Sequence, residues 1–335
     1  MIRILMVMAA CTALLSPEAA RAWGSSGHRM ITQAAGAGFS PDLPAFLHRP
    51  EAIADMAEWA REPDRWRLAG AVHDAARDVQ HFAYADDAGR LGGVVSFAAL
   101  PPTRAAFADA LRKAGADPEA VGFLPYAIID SWQQLAKDMV YWRADAAGIR
   151  LGRDATRRAW LSADQRRREA QLVLDAGLLA HYVGDATQPM HLSIHHDGWG
   201  EGANPDGFTT AHVHIAFEGA YVAQTVALAD VKLAMTPPRP LDGSIEATVG
   251  AYLAQASTQV RPWYLLEKAG GFKAGDPRGA AFASARLGLA ASMLRDLINF
   301  AWRASAKGQV NYPIASVLDI ETGKVDAYNV LRGPD

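Results

Sequence analysis

The sequence predicts an all-α protein built as a single domain. Of its 335 residues, 50% are hydrophobic and 21% are charged, which is enough apolar material for one large core. Long stretches have helix-forming composition, and no regular alternation of apolar and polar residues with hairpin turns recurs along the chain. Six of the ten histidines fall within the 34 positions from His181 to His214, so metal-binding side chains are concentrated in one part of the chain.

Four segments are predicted to form long helices, at residues 125–142, 166–187, 245–268 and 280–306. The second has apolar residues at Leu172, Leu179 and Val183, and Pro189 limits its C-terminal end. Connections rich in Gly, Asp, Asn and Pro lie at 197–207 and 269–279. We therefore expect one helical domain over residues 23–306, followed by an irregular tail over 307–335.

The first 22 residues have the pattern of an export signal. Arg3 gives a positive start, Ile4 to Leu15 is mostly apolar, and Ala20-Arg21-Ala22 fits a cleavage site flanked by small residues. The apolar run is too short to span a membrane. Cleavage after Ala22 would change the formal net charge from -3 to -4, because the removed segment carries a net +1. We expect a periplasmic or secreted protein without a transmembrane span.

The only cysteine, Cys11, lies in this segment, so the processed chain would have no thiol for a disulfide, a metal or a nucleophile. The sequence Met8-Ala-Ala-Cys11 faintly resembles a lipoprotein cleavage box, which leaves lipid attachment as an alternative. The net charge of -3 provides no broad basic face, so any binding to nucleic acid must come from local features.

Two histidines are each followed four residues later by a carboxylate: His181 by Asp185, and His214 by Glu218. Positions four apart share one face of a helix, so each pair can converge on one ion. Imidazole nitrogen and carboxylate oxygen together suit zinc. A single pair of this kind is usually a contact on a helix surface, but His191 lies between the two pairs. A solvated, histidine-rich loop around Asp197 is the alternative to a metal site.

The run HYVGDATQPMH at 181–191 resembles the central motif of the superfamily that joins bacterial zinc phospholipases C to fungal and plant single-strand nucleases. The runs WGSSGH at 23–28, HFAYADD beginning at residue 81 and HIAFE at 214–218 occur in the order found in that superfamily. These islands span most of the mature chain. The resemblance implies a mostly helical fold in which a cleft holds three zinc ions.

The resemblance also implies which residues bind each ion. The first zinc would be bound by Asp64, His81, His181 and Asp185, and the second by His191, His214 and Glu218. The third would be bound by His28 and by the α-amine and carbonyl oxygen of Trp23, with Asp185 bridging it to the first.

Two of these assignments depend on further conditions. The α-amine of Trp23 can bind a metal only if cleavage falls after Ala22. Asp55 competes with Asp64 for the first zinc; Asp64 is preferred because Arg67 follows three residues later, as an arginine follows the corresponding aspartate in the nucleases.

The implied activity is zinc-dependent hydrolysis of phosphodiester bonds by a metal-activated water. Asp185 would hold the metals at their separation, and Arg67 would bind a phosphate oxygen unless it is an ordinary arginine on a helix surface. Phe82 lies where the nucleases stack a base, although a core phenylalanine is the alternative. Tyr84 replaces an aspartate that usually contacts the base, and the run GWGEGANPDG departs from the nuclease segment with two glycines and an asparagine.

Single-stranded nucleic acid is therefore the predicted substrate, and no stable protein partner is implied. Phospholipid is the nearest alternative, because Glu218 at the second zinc is the residue found in the phospholipases. A non-catalytic zinc-binding protein of the bacterial envelope would also retain the histidines.

Overall fold

The computed structural model describes residues 23–200 and 202–333, and the predicted export signal lies outside these residues. The chain is all-α, as predicted, and strands in the described part are limited to two short antiparallel pairs. Within the same residues, no helix combines the length and the apolar character needed to cross a membrane.

The helices follow one another in chain order. They are α1 (Gly24–Gly36), α2 (Pro50–Trp59), α3 (Glu62–Arg65), α4 (Ala71–Arg77), α5 (Arg104–Lys113), α6 (Pro118–Val121), α7 (Leu124–Leu151), α8 (Ala155–Asp185), α9 (Val222–Thr225), α10 (Leu228–Leu233), α11 (Ile245–Ser257), α12 (Val260–Lys268), α13 (Pro277–Ser305), α14 (Val317–Glu321) and α15 (Ala327–Arg332). Strand β1 (Arg90–Leu91) pairs with β2 (Val95–Ser96), and β3 (Gln309–Val310) pairs with β4 (Ala315–Ser316).

The predicted long helices are present with different ends. Helix α7 extends well beyond 142, α13 closely matches 280–306, and α8 begins near residue 155 rather than 166 because the Asp154 carboxylate caps its first turn by accepting from the Arg157 amide. The predicted helix 245–268 is instead two helices. The Ser257 and Thr258 hydroxyls donate to the carbonyls of Ala254 and Gln255, and such local bonds compete with continuation of a helix.

Helix α8 is central to the fold. The three residues 152–154 connect it to α7, so the two long helices run antiparallel and pack along their lengths. Helices α1, α2 and α13 also pack against α8, and its apolar side chains Leu172, Leu179 and Val183 are buried. The last turn of α8, from His181 to Asp185, is consequently in the protein interior.

The expectation of an irregular tail over 307–335 is wrong for its described part. Residues 307–333 contain β3, β4, α14 and α15, which pack on α7 around a second apolar cluster that includes Val140, Leu161, Val310 and Ile320. Ser316 and Asp326 cap the two helices through their side chains. Elements of two to six residues are too short to show a recognisable hydrophobic period, which is why the sequence did not predict them.

Candidate metal centre

Five parts of the fold bring histidines and carboxylates into one buried region. They are α1 with His28, α3 with Asp64, the end of the 3-10 turn Asp78–Gln80 with His81, the last turn of α8 with His181 and Asp185, and the segment 189–218 with His191, His214 and Glu218. All of these side chains are buried except Asp64, which is 11% exposed. They form three groups, and within each group the ligand atoms lie within 4.8 Å of one another.

The first group contains Asp64, His81 and His181, and Asp185 adjoins it. His181 Nε2 lies 3.0 Å from His81 Nδ1, and Asp185 Oδ2 lies 3.2 Å from His81 Nδ1 and 3.3 Å from His181 Nε2. Asp64 Oδ1 completes the group at 4.0 Å from His81 Nδ1. Tetrahedral ligands at zinc–nitrogen and zinc–oxygen distances of about 2.0–2.1 Å lie about 3.3 Å apart, so this spacing suits a metal ion.

The second group contains His191, His214 and Glu218. Glu218 Oε2 lies 2.7 Å from His214 Nε2 and 3.6 Å from His191 Nε2. His214 and Glu218 are four residues apart in a helical stretch whose middle is the π-helical turn Ala216–Tyr221. Such turns are rare and occur often at functional sites.

The third group contains His28, His181 and Asp185. The His28 and His181 rings stack with centroids 4.2 Å apart, and His28 Nε2 lies 3.5 Å from Asp185 Oδ1. Asp185 therefore directs Oδ2 towards the first group and Oδ1 towards the third. A side chain on Gly184 would bring a Cβ within 3.0 Å of His28 Nδ1, so glycine lets α1 approach this turn of α8.

Backbone carbonyls orient two of the imidazoles. The Nδ1–H of His181 donates to the Ala60 carbonyl at 2.9 Å, and the Nδ1–H of His191 donates to the His81 carbonyl at 2.6 Å. Because a carbonyl can only accept, both rings carry a proton on Nδ1, which leaves Nε2 as the nitrogen that can bind a metal. This arrangement is typical of histidines that bind metals.

Burial makes charge at the first and third groups costly without a cation. It raises the pKa of Asp64 to about 6 and the pKa of Asp185 well above its usual value, and it lowers the pKa of His81 well below its usual value. Among the described residues, Asp64 Oδ1 and Asp185 Oδ1 have no hydrogen-bond partner. A bound cation would stabilise ionised carboxylates beside neutral imidazoles, so the residues present fit a metal.

Glu218 differs from these two aspartates. Its burial would raise its pKa, but when no metal is bound the positive charges and hydrogen bonds of protonated His214 and His191 outweigh that cost and lower the pKa of Glu218 to about 2. The second group is therefore predisposed to hold a carboxylate in its charged form.

Trp23 lies beside the centre with its side chain fully buried. Its indole donates to the Gly184 carbonyl, and its own carbonyl accepts from the Gly27 amide at 3.1 Å. The expected role of its α-amine depends on cleavage at Ala22, which lies outside the described residues.

Of the two competing aspartates, Asp64 lies beside the candidate metal-binding histidines and Asp55 does not. Asp55 lies on the exposed side of α2, whereas Asp64 belongs to the first group. Arg67 is close to the same region: its Nε donates to Asp78 Oδ1 at 3.0 Å, and its charge offsets part of the rise in pKa that burial causes at Asp64 and Asp185. Arg67 is only 18% exposed, so it is not an ordinary surface arginine.

One face and one edge of the Phe82 ring, which was expected to stack a base, are covered by other residues. Tyr84 covers one face with ring centroids 4.2 Å apart, and the Cδ2–Cε2 edge of Phe82 packs against Gly122. The Phe82 ring also contacts the hydrophobic core. The sequence could not reveal the stacking partner, because contacts between side chains cannot be read from the sequence alone.

Two residues that the sequence did not indicate support the second group. Gln188 is fully buried and donates to Glu218 Oε2 at 3.1 Å. Asp197 Oδ1 accepts from the backbone amides of Val213 and His214 at 2.9 and 3.0 Å, which fixes the chain where His214 begins its helix. Gln188 lies within the run 181–191, so its place in that motif was the available signal.

The fold and the site together define an all-α protein with three buried groups of histidines and carboxylates that can hold metal ions. No family model matches the chain, and no curated protein matches it.

Proposed function

We propose that the chain is a zinc-dependent phosphodiesterase that binds three zinc ions and hydrolyses single-stranded nucleic acid. One observation carries the proposal: the two oxygens of the buried Asp185 carboxylate face different histidine groups, with Oδ1 directed to His28 and Oδ2 to His81 and His181. A carboxylate shared in this way can bind two neighbouring metal ions. Neighbouring ions can act together on one phosphodiester.

The donor set supports zinc as the metal. Imidazole nitrogens and carboxylate oxygens bind zinc in three- and four-ligand sites, and oxygen-only ligation, which calcium and magnesium prefer, is absent from the three groups among the described residues. Bound zinc ions supply Lewis-acid polarisation of the phosphate and a water whose pKa is lowered towards neutrality.

The residues of the chain contribute position and charge. Asp185 holds the first and third groups together, because its side chain is fully buried and contacts both. Arg67 places a guanidinium near the first group, and Asp78 orients it through Nε. A planar guanidinium suits the oxygens of a phosphate, and its positive charge stabilises the negative charge that develops during hydrolysis.

A phospholipase C is the second candidate. Two observations favour it: Glu218 stands at the second group, and the Tyr84 ring covers the face of Phe82 on which a base would stack. The metal groups serve a phosphodiester in either substrate, so the difference between the candidates lies in what surrounds the phosphate.

Metal analysis and parallel assays test the proposal. Protein beginning at Trp23 should contain about three zinc ions per chain and should cleave single-stranded DNA or RNA in a chelator-sensitive manner. Release of phosphocholine from phosphatidylcholine with intact nucleic acid would favour the phospholipase. One tightly held zinc without turnover on either substrate would indicate a non-catalytic zinc-binding protein.

A further inference from the structure

Three rings form a continuous stack beside the metal centre. Tyr84 lies between Phe82 and His196, with centroids 4.2 Å from Phe82 and 4.7 Å from His196. The rings are nearly parallel, at interplanar angles of 14° and 11°. Tyr84 therefore occupies a gap that has the spacing of one planar ring stacked between two others.

Phe82, one of the two outer rings, is held independently of Tyr84. Phe82 follows the ligand His81 and is fixed by the core and by Gly122, where a side chain would collide with the Phe82 ring. His196 lies in the segment after His191 and is exposed at the other end of the stack. Partial burial of the ring, together with the nearby His214, lowers the pKa of His196.

A route from solvent leads to the gap. A cavity of about 360 Å³ borders it and is lined by Tyr84 and His196, with Ile194 and Val121 on its apolar walls. A planar ligand that enters this cavity meets the edge of the stack. It cannot enter the stack itself while Tyr84 fills it.

We infer that Tyr84 is a specificity-determining residue that fills a stacking slot between Phe82 and His196 and so excludes a nucleobase from that slot. A base could enter only by displacing Tyr84 and losing both of its ring contacts. The slot is a property of the side-chain geometry alone. Its consequence for cleavage rests on the proposed function: hydrolysis should then depend on the sugar–phosphate backbone and not on a base next to the cleaved bond.

The slot can be tested by binding, without catalysis. Calorimetric titration with adenosine, which has no phosphate, should show tighter binding to Tyr84→Ala than to the unchanged protein, by on the order of tenfold or more. Tyr84→Phe keeps the ring and should bind as weakly as the unchanged protein. The double variant Tyr84→Ala with His196→Ala removes one wall and should lose the gain. Cooperative thermal unfolding checks that each variant is folded.

Equal adenosine affinity in the unchanged protein and in folded Tyr84→Ala would overturn the inference. A second measurement on the unchanged protein does not need the variants. A strand with one abasic position at the cleaved bond should be hydrolysed at the same rate as the complete strand, and a strong preference for the complete strand would contradict base exclusion. If no phosphodiester is cleaved but adenosine binds Tyr84→Ala, the proposed function fails and the slot stands. If nucleic acid is cleaved but Tyr84→Ala binds adenosine no more tightly than the unchanged protein, the proposed function stands and the slot fails.

Discussion

The Trp23 indole donates a hydrogen bond of 2.8 Å to the Gly184 carbonyl, which joins the start of α1 to the last turn of α8. The same indole nitrogen lies 3.2 Å from the Thr187 hydroxyl. The Trp23 backbone is in the left-handed region, with φ 34° and ψ 11°, which is uncommon for a residue with a side chain. Two of the hydrogen bonds that fix Trp23 are therefore made at the end of the helix that carries His181 and Asp185.

This placement gives the N-terminus a specific predicted role. Extending the chain by a few residues before Trp23 converts its α-amine into an amide, which cannot act as a metal ligand. We expect the extended protein to lose about one of three zinc ions while the other two remain. Metal content by mass spectrometry is the measurement.

The matched control is the same extension followed by a protease site that leaves Trp23 first after cleavage. Cleavage should restore the missing zinc. Full metal content and activity in the uncleaved protein would show that the α-amine is not a ligand.

The sequence predicted those parts of the centre that are close together in the chain. His181 with Asp185, and His214 with Glu218, are each four residues apart on a helix, so one turn of local structure brings them together. The helix-forming composition of this segment and its apolar positions also predict α8. The resemblance in the order of the sequence motifs added His28 and His81, which no local spacing connects to the rest.

The remaining features depend on packing between distant segments. Asp55 and Asp64 are both carboxylates in helices near α8, and only their positions in the fold show that Asp55 is exposed whereas Asp64 lies beside the histidines. Phe82 looked available for stacking because the partner that covers it, Tyr84, could not be identified without side-chain positions. Gln188 likewise acts through Glu218, which is 30 residues away.

Asp185→Asn should abolish hydrolysis and weaken metal binding at two positions. An amide cannot provide two anionic oxygens, so the first and third groups would lose the charge they share. Turnover should fall by at least about a hundredfold, a typical loss when an electrostatic contribution to the transition state is removed. Steady-state kinetics and metal content provide the measurement.

Asp175→Asn is the control, since Asp175 is also a buried carboxylate of α8 but lies outside the three metal groups. It should retain its zinc and most of its activity. Near-normal turnover in Asp185→Asn would refute the shared role of that carboxylate.

Gln188→Leu should weaken metal binding at the second group specifically. Leucine has a similar size but cannot donate to Glu218 Oε2, so the carboxylate loses an interaction that orients it. We expect metal affinity at this group to fall by about 10–100-fold, as is typical when a partner of a ligand is lost. Competition with a chelator of known affinity measures the change.

Gln171→Leu removes a similar bond, from Gln171 to Asp175, away from the centre. It should leave the chelator competition unchanged. Equal effects of the two substitutions would indicate a general loss of stability instead of a local effect on Glu218.

Asp145 should make the stability of the protein fall as the pH rises. The residue is fully buried, and neither of its carboxylate oxygens has a hydrogen-bond partner among the described residues. Burial, with a smaller effect of the Asp164 charge, raises the pKa of Asp145 to about 8 from its ordinary value of 3.8. The unfolded chain therefore loses this proton near pH 4, whereas the folded chain keeps it until about pH 8.

The contribution of Asp145 to stability is thus present in full below pH 4 and is lost progressively as the pH rises towards 8. Asp145→Asn cannot ionise, so its stability relative to the unchanged protein should rise across this range, by about 1–2 kcal/mol at pH 5 and by roughly 5 kcal/mol at pH 8. Urea unfolding of both proteins at pH 5 and pH 8 gives the difference, and comparing the two proteins at each pH cancels the effect of pH on metal binding. A difference that is the same at both pH values would mean that Asp145 ionises in the folded protein as readily as in the unfolded chain.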